Sequence, residues 1–522
     1  MLLQRLARYA LPLMAAIMPA VSHAAEMQGS DLSIVWAIPF AGILLSIALV
    51  PLIFPDFWHN HFGKVSLAWA AVTIIPLSLA FGLHNGIVAL NEALVGDFIP
   101  FILFVGTLFV VAGGIHISGN FTGRPVGNLA FLITGAALAN IMGTTGAAML
   151  MIRPLLKATE HRKYRMHTFI FFIFMVANIG GSLTPLGDPP LFMGFLRGVS
   201  FFWTAQHILI PMLTAIGILS VVYLVIDSIC WKKEHPNGAP IVDTKRGEKA
   251  AIQIRGGINF MILAVVIGAV LLSGVWKSGF SITFFGVTLT GQGMARDALF
   301  VLCIIASLVL TPKEVREKNQ FSWDPIFEVA KLFAGIFVCM GPVLAMLKAG
   351  SAGAFAPLVA LVSNGDGTLN NSAFFWLAGM LSSFLDNTPT YLAFFNLAGG
   401  DPTVLMGPDA VTLLAILTGL VTGLLEDRLN ARAAKARLLP GTEHAATVFD
   451  EDGYTMTTGV TETRWQYAQI LAIAETKRYF ILALSKNHAQ AVDKEGIQGG
   501  SAEEFRAFIT EKTGKPVTYI KK

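Results

Sequence analysis

Asn178-Ile-Gly-Gly-Ser-Leu-Thr-Pro-Leu-Gly-Asp-Pro-Pro190 interrupts one long apolar stretch of this chain, and Ser382-Ser-Phe-Leu-Asp-Asn-Thr-Pro-Thr390 interrupts another. Each places a carboxylate, hydroxyls, an Asn and a helix-breaking Pro where a membrane helix should run on. Lipid cannot hydrogen-bond the backbone groups that a broken helix frees, so a break at that depth survives only inside protein or beside a water-filled cavity. Intramembrane carboxylates are costly for the same reason. Two such breaks in corresponding places predict the midplane ion site of a secondary transporter.

The composition fits that reading. The 522-residue chain is 54% hydrophobic and 13% charged, against about 25% charged in a soluble domain, and its mean hydropathy is +0.64. This is a polytopic membrane protein. Apolar runs able to cross about 30 Å of hydrocarbon occur near 33–54, 66–82, 98–118, 205–231, 257–277, 297–311, 331–349 and 409–425. Residues 1–24 carry Arg5 and Arg8, an apolar core and Ser22-His23-Ala24 ahead of Ala25. They read as a secretory signal peptide, with an uncleaved extra helix as the alternative. Cys230, Cys303 and Cys339 lie in apolar spans without metal-like spacing and read as packing residues.

Basic residues set the topology. Lys157 to Arg165, Lys232 to Arg255, Lys313 to Lys318, and Arg428, Arg432, Lys435 and Arg437 form clusters that the positive-inside rule assigns to the cytoplasm. The apolar stretch 128–156 is too short for two crossings of about 20 residues each, and counting crossings puts both its ends in the cytoplasm. It therefore reads as a re-entrant hairpin. The same count gives 372–398 two periplasmic ends, so a second hairpin enters from the opposite side. Weak internal likeness agrees: Leu108-Phe-Val-Val-Ala-Gly-Gly-Ile-His116 parallels Ile336-Phe-Val-Cys-Met-Gly-Pro-Val-Leu344, and Gly143-Thr-Thr-Gly-Ala147 parallels Asp386-Asn-Thr-Pro-Thr390. The expected architecture is an α-helical polytopic body of inverted repeats, with two re-entrant hairpins and broken helices.

A hairpin tip frees N–H groups at the start of its returning half-helix. Thr144 and Thr145 add hydroxyl oxygens at the first tip, and Asn387, Thr388 and Thr390 add oxygens at the second. Hard cations such as sodium favour several such oxygens with a carboxylate close by. Asp188 follows Thr184-Pro185 and precedes Pro189-Pro190, so its helix cannot continue through the site. A carboxyl group in low dielectric holds its proton, whereas a nearby cation displaces it. One site could then hold either a proton or a metal ion, which is the minimal chemistry of cation–proton antiport. The competing reading makes Asp188 and Asp386 plain helix caps.

Other residues give weaker signals. His116, beside Gly113 and Gly114, reads as hydrogen-bonded packing, with proton relay as the alternative. Glu328 and Lys331 are spaced for a surface pair. Arg153 reads as snorkelling to the interface, although it could also hold a carboxylate anion. No zinc-protease His-Glu-x-x-His, phosphate-binding loop or serine elbow occurs, so an enzyme is not expected. Nor is a resident cofactor or a nucleic-acid partner expected; the expected partners are the bilayer, sodium, protons and, in the alternative, a small carboxylate.

At these residues the chain resembles the ion transporter superfamily, most closely its citrate transporters and sodium:proton antiporters, over residues 33–415. Gly180 to Pro190 and Leu385 to Thr390 are similar to the Ser-Pro-Ile-Gly-Asp and Asp-Asn-x-Pro motifs of D-type bacterial sodium:proton antiporters. The resemblance implies that Asp188, Asp386 and Asn387 are the ion and proton residues, with Asn140, Thr144, Thr145, Asn178, Ser182 and Thr184 as their neighbours. It also implies a multi-pass homodimer of the bacterial inner membrane working by an elevator-like movement. The alternatives are a citrate or other carboxylate symporter and a non-transporting membrane-anchored sensor.

One departure stands out. In the first repeat the broken segment begins 33 residues after Thr145, and the same step from Thr388 reaches Val421, followed by Glu426-Asp-Arg428. The second repeat therefore reads as truncated. The expected division is a signal peptide at 1–24, a transporter domain at 25–427, a basic linker at 428–442 and a cytoplasmic domain at 443–522. In that last part, strand-like alternation occurs at 446–449, 454–457, 470–474 and 479–484, and Ser501 to Thr513 reads as a capped amphipathic helix. Ile473 to Leu484 with that helix resembles the small α+β YcxB-like domain, which is similar to a pleckstrin-homology barrel. A regulatory fusion and a recent junction near 420–440 both account for the arrangement.

Overall fold

The structure, a computed structural model, describes residues 28–119, 123–235, 253–383, 385–421, 445–458, 461–476, 479–483, 489–497 and 500–519. The readings of 1–24 as a signal peptide, 428–442 as a linker and Glu426-Asp-Arg428 as the end of the membrane body lie outside the described residues. The chain divides into two compact units, Met1–Leu425 and Glu426–Lys522.

Among the described residues of the first unit, eight helices are long and apolar enough to cross a membrane: Ile34–Ile53, Pro55–Phe81, Leu83–Ala112, Pro125–Ala158, Phe201–Glu234, Ile258–Val275, Gly291–Leu310 and Asp324–Lys348. Seven of them coincide with expected spans. The eighth, Pro125–Ala158, is not a single rod. Extended, its 34 residues would reach about 51 Å, well beyond the hydrocarbon thickness. The backbone breaks instead at Gly143, with φ 78° and ψ 155°, a region open to glycine and strained for other residues. Beyond the break the chain folds back. A Cβ at Gly135 would lie 3.5 Å from Met151 Cγ, and one at Gly123 would lie 2.2 Å from the Ala158 carbonyl oxygen. The two ends thus meet at one mouth, as expected of the first hairpin.

The second hairpin comprises Asn371–Ser382 and Asn387–Leu397. Its arms lie side by side, with the Phe374 and Phe394 ring centroids 6.1 Å apart. The expected span 409–425 is described only as Ala410–Val421.

The helix Phe201–Glu234 fixes the relative sense of the hairpins. At its C-terminal end, buried Asp227 and Glu234 each bind Arg162 at 2.6 Å, and Arg162 Nη1 donates to the Gly123 carbonyl at the mouth of the first hairpin. At its N-terminal end, Trp203 Nε1 donates to the Met406 carbonyl just past the second hairpin. The mouths therefore open at opposite ends of the body. The basic loops gather at the first end: strand His116–Ser118 pairs with Gln253–Arg255, Asn319 Nδ2 donates to the Gly113 and Ile115 carbonyls, and Arg153 reaches the carbonyls of Lys318 and Asn319.

In the second unit, Ala445–Phe449, Gly453–Thr458 and Thr461–Gln466 form a three-stranded antiparallel sheet. A four-stranded sheet contains Ala472–Glu475, Tyr479–Ala483, Ala489–Asp493 and Val517–Tyr519, the last parallel to the first. The helix Ala502–Thr513 begins with a capping box between Ser501 and Glu504. Its Phe505 and Phe508 sit edge-on against Phe449. The strand expected from Ile470 begins at Ala472, because Tyr467–Gln469 forms a separate capped turn that buries Ile470. Strands 461–466, 489–493 and 517–519 carry no clean apolar alternation and were not expected.

Candidate functional site

The break in the first hairpin and the break in the following helix are built together. That helix starts at Met166–Phe172, widens into a π turn over Ile173–Asn178, tightens into a 3₁₀ turn over Ile179–Gly181 and resumes only at Pro189–Leu196. Asn178 marks the exit from helical geometry, with φ −121° and ψ −82°. The unwound backbone finds its partners across the hairpin. Leu183 N donates to Asn140 Oδ1 at 2.9 Å, and Thr184 Oγ1 donates to the Asn140 carbonyl at 2.5 Å. Thr144 N donates to the Gly187 carbonyl at 2.9 Å, and Thr204 Oγ1 donates to the Leu183 carbonyl at 2.8 Å. Glycines permit this proximity, since a Cβ at Gly181 would fall 2.6 Å from Thr144 Cγ2. Ser182 is buried, and its hydroxyl has no hydrogen-bond partner among the described residues.

Asp188 occupies the N-cap of Pro189–Leu196 yet makes no capping bond. The reason is chemical: Pro190, at the second helical position, has no N–H to offer, and the next donor, Leu191 N, bonds the Asp188 carbonyl at 3.1 Å instead. The carboxylate turns to the second hairpin, where the Asn387 side chain lies beside it and Asp386 is within electrostatic range. Asp386 does cap its own helix, Oδ1 accepting from Thr388 N at 2.9 Å. Asn387 is held in turn, its Oδ1 accepting from Ser382 Oγ. Asp188 is half-buried and Asp386 is exposed. No Lys, Arg or His forms an ion pair with either among the described residues. Two neighbouring carboxylates without a counter-cation hold surplus negative charge that a proton or a metal ion would neutralise.

The expected residues separate into three groups. Asp188, Asp386, Asn387 and Thr388 come together. Asn140, Thr144, Ser182 and Thr184 form the adjoining crossing, in which Asn140 and Thr184 act by holding the unwound backbone. Thr145, Thr390 and Asn178 do not join either cluster: Thr145 is exposed, Thr390 Oγ1 donates to its own helix at the Asp386 carbonyl, and Asn178 makes no side-chain hydrogen bond among the described residues. Thr144 and Thr145 also line a shallow cavity of about 390 Å³ with Ala148, Met149, Ile152 and Phe172. Ser382, Thr204 and Tyr391 were not anticipated. Ser382 stands at the start of the quoted motif, and Tyr391 follows it directly.

The weaker candidates have structural duties. His116 Nδ1 lies 2.8 Å from Asn319 Oδ1, which is the packing role. Arg153 is committed to the Lys318 and Asn319 carbonyls and to Gln320 Oε1, so it does not present a free guanidinium to an anion. Lys331 lies over the Phe62 ring, 5.4 Å from its centroid, and no ion pair with Glu328 forms among the described residues.

Comparison with known sequences agrees with this architecture. Residues 449–509 match the family model described as "YcxB-like protein". No curated protein matches the chain. Residues 29–423 match the family model described as "Putative citrate transport", and with three quarters of its length covered the chain belongs to this transporter family, as a multi-pass membrane protein whose tail carries a YcxB-like domain.

Proposed function

We propose that the protein is a sodium:proton antiporter of the bacterial inner membrane, in which Asp188 and Asp386 exchange protons for sodium. The observation that carries this reading is the pair of neighbouring carboxylates, one from each repeat, with Asn387 beside them and no cationic partner among the described residues. Such a pair suits a cation and repels an anion. Sodium is the transported or coupling ion here, bound by carboxylate and hydroxyl oxygens. In the same reading the protein works as a homodimer, residues 1–24 are a signal peptide, and the basic loops and the YcxB-like domain lie in the cytoplasm.

The second reading, citrate or carboxylate symport, is favoured by the family description; the commitment of Arg153 to backbone carbonyls weighs against it. Flux assays in everted vesicles comparing sodium, lithium and citrate distinguish the two. Under antiport, Asp386→Asn abolishes proton-coupled sodium flux with expression intact, and Asp188→Asn does the same or moves the pH optimum. Retained flux at an unchanged optimum in both variants rejects the carboxylate mechanism. Absence of flux for every solute tested would favour the sensor.

A further inference from the structure

A cavity of about 1640 Å³ opens at the end of the body where the second hairpin has its mouth, bounded by Glu92, Asp97, Arg197, Phe195, Phe337 and Asn396 among others. Asp188, Asp386 and Asn387 do not line it. The helix Pro189–Leu196 stands between, with Phe192 stacked on Phe104 at a centroid distance of 3.8 Å. Eight residues at 1.5 Å each put its two ends about 12 Å apart, so the same short rod carries Asp188 at one end and Arg197 at the other.

Arg197, just past the end of that rod, adds a polar grip on the Leu83–Ala112 span beside the Phe192–Phe104 stack. Its Nη2 donates to both oxygens of Asp97, at 2.7 and 2.9 Å, and the side chains are 31% and 14% exposed. Asp97 sits in the π turn Glu92–Phe98 that interrupts the span Leu83–Ala112, and such widened turns often occur at functional positions. Glu92, from the same turn, is within electrostatic range of Asp97. Without Arg197 the half-buried Asp97 would lose the ion-pair partner that offsets its repulsion by Glu92. Breaking the pair therefore has a definite cost and yields two discrete arrangements instead of a continuum.

We infer that the Asp97–Arg197 ion pair is the gating latch of this transporter: it holds the Asp188-bearing rod against the Leu83–Ala112 span and closes the route from the large cavity to the paired carboxylates. The inference rests on transport, which the family supplies, and not on which ion is carried. Opening of that face separates the pair; its re-formation closes the face.

The test is access to the site, measured without any transported solute. In the full-length chain with Cys230, Cys303 and Cys339 changed to alanine, a Leu385→Cys reporter at the second hairpin tip is labelled with a membrane-impermeant maleimide from the large-cavity side. The parent should label slowly, and Asp97→Asn or Arg197→Gln should label at least tenfold faster. The charge-exchanged double variant, Asp97→Arg with Arg197→Asp, should return to the slow rate, which a merely structural lesion would not do. An unchanged rate in the single variants, or acceleration that the exchange fails to reverse, overturns the latch. Should the neutral variants fail to fold, Arg197→Lys keeps the charge on a shorter side chain that reaches the Asp97 oxygens less well and should give an intermediate rate; an unaltered rate there overturns the latch equally. Because labelling is independent of flux, a wrong assignment of the ion leaves these outcomes intact.

Discussion

The contact between Gly194 and Tyr391 offers a direct test of how the two repeats are set against each other. Gly194 lies on the rod that begins at Asp188, and Tyr391 is a fully buried residue of the second hairpin. A Cβ at position 194 would lie 2.4 Å from Tyr391 Oη and 3.0 Å from Cζ. Gly194→Ala must therefore push the hairpin away from the rod and Asn387 away from Asp188. Overpacking of this kind costs about 1–3 kcal/mol, and about 1.4 kcal/mol is tenfold in a population, so flux should fall by about 5- to 140-fold at matched expression. The hydroxyl of Tyr391 has no hydrogen-bond partner among the described residues, so Tyr391→Phe alone should transport nearly as the parent does. Combined with Gly194→Ala it removes the oxygen at the point of collision and should restore most of the flux. The assay is initial-rate flux in everted vesicles, with detergent-solubilised size exclusion as the folding control. Native flux in Gly194→Ala, or a double variant no better than the single one, refutes the reasoning.

Four further outcomes are expected. Gly143→Ala places a side chain at φ 78° and should destabilise the first hairpin by about 1–3 kcal/mol, seen as a lower melting temperature of the purified protein. A cysteine at Lys157 should label from the cytoplasm and one at Asp401 from the periplasm; labelling from one side would refute the opposed hairpins. Expressed alone, residues 443–522 should be soluble and melt cooperatively. In that domain hydrogen bonds from Arg506, with help from Lys494, hold the Glu475 carboxyl down to about 2, below its ordinary 4.5. The unfolded chain then binds this proton first, so the stabilisation is complete above pH 4.5 and disappears as pH falls through about 2. Melting temperatures across that range should decline more steeply for the parent than for Glu475→Gln, and parallel curves would exclude Glu475 as the cause.

The membrane body was readable because its strongest signals are local. Polar motifs with Pro at 185, 189 and 389 announce broken helices, and the length of 128–156 against the bilayer thickness announces a fold-back. The sequence also marks Asp188 and Asp386, since a carboxylate is conspicuous in apolar surroundings. It does not show that Asp386 caps its helix while the Asp188 side chain caps nothing, a difference made by the missing N–H of Pro190 and by Leu191 N bonding the Asp188 carbonyl. The placement of Thr145 and Thr390 is hidden for a related reason. A hydroxyl's position in a motif does not say which side of the helix it occupies, and one helical step separates Thr144, which is buried, from Thr145, which is exposed. The Asp97–Arg197 pair joins residues 100 positions apart, with no local pattern to single out either one.

The helix Phe201–Glu234 has a consequence for how the body can tolerate change. Trp203 and Asp227 meet opposite hairpin mouths, and the 24 residues from one to the other span about 36 Å at 1.5 Å each. The helix is thus a calibrated spacer, whose pitch as well as length is built into the meeting of the two tips. One residue inserted between these anchors would lengthen it by about 1.5 Å and turn one anchor by about 100° relative to the other, swinging Asp227 off Arg162 or Trp203 off Met406. Evolution of this segment is accordingly constrained in phase: substitutions along its lipid-facing side are free to accumulate, while single insertions and deletions are not.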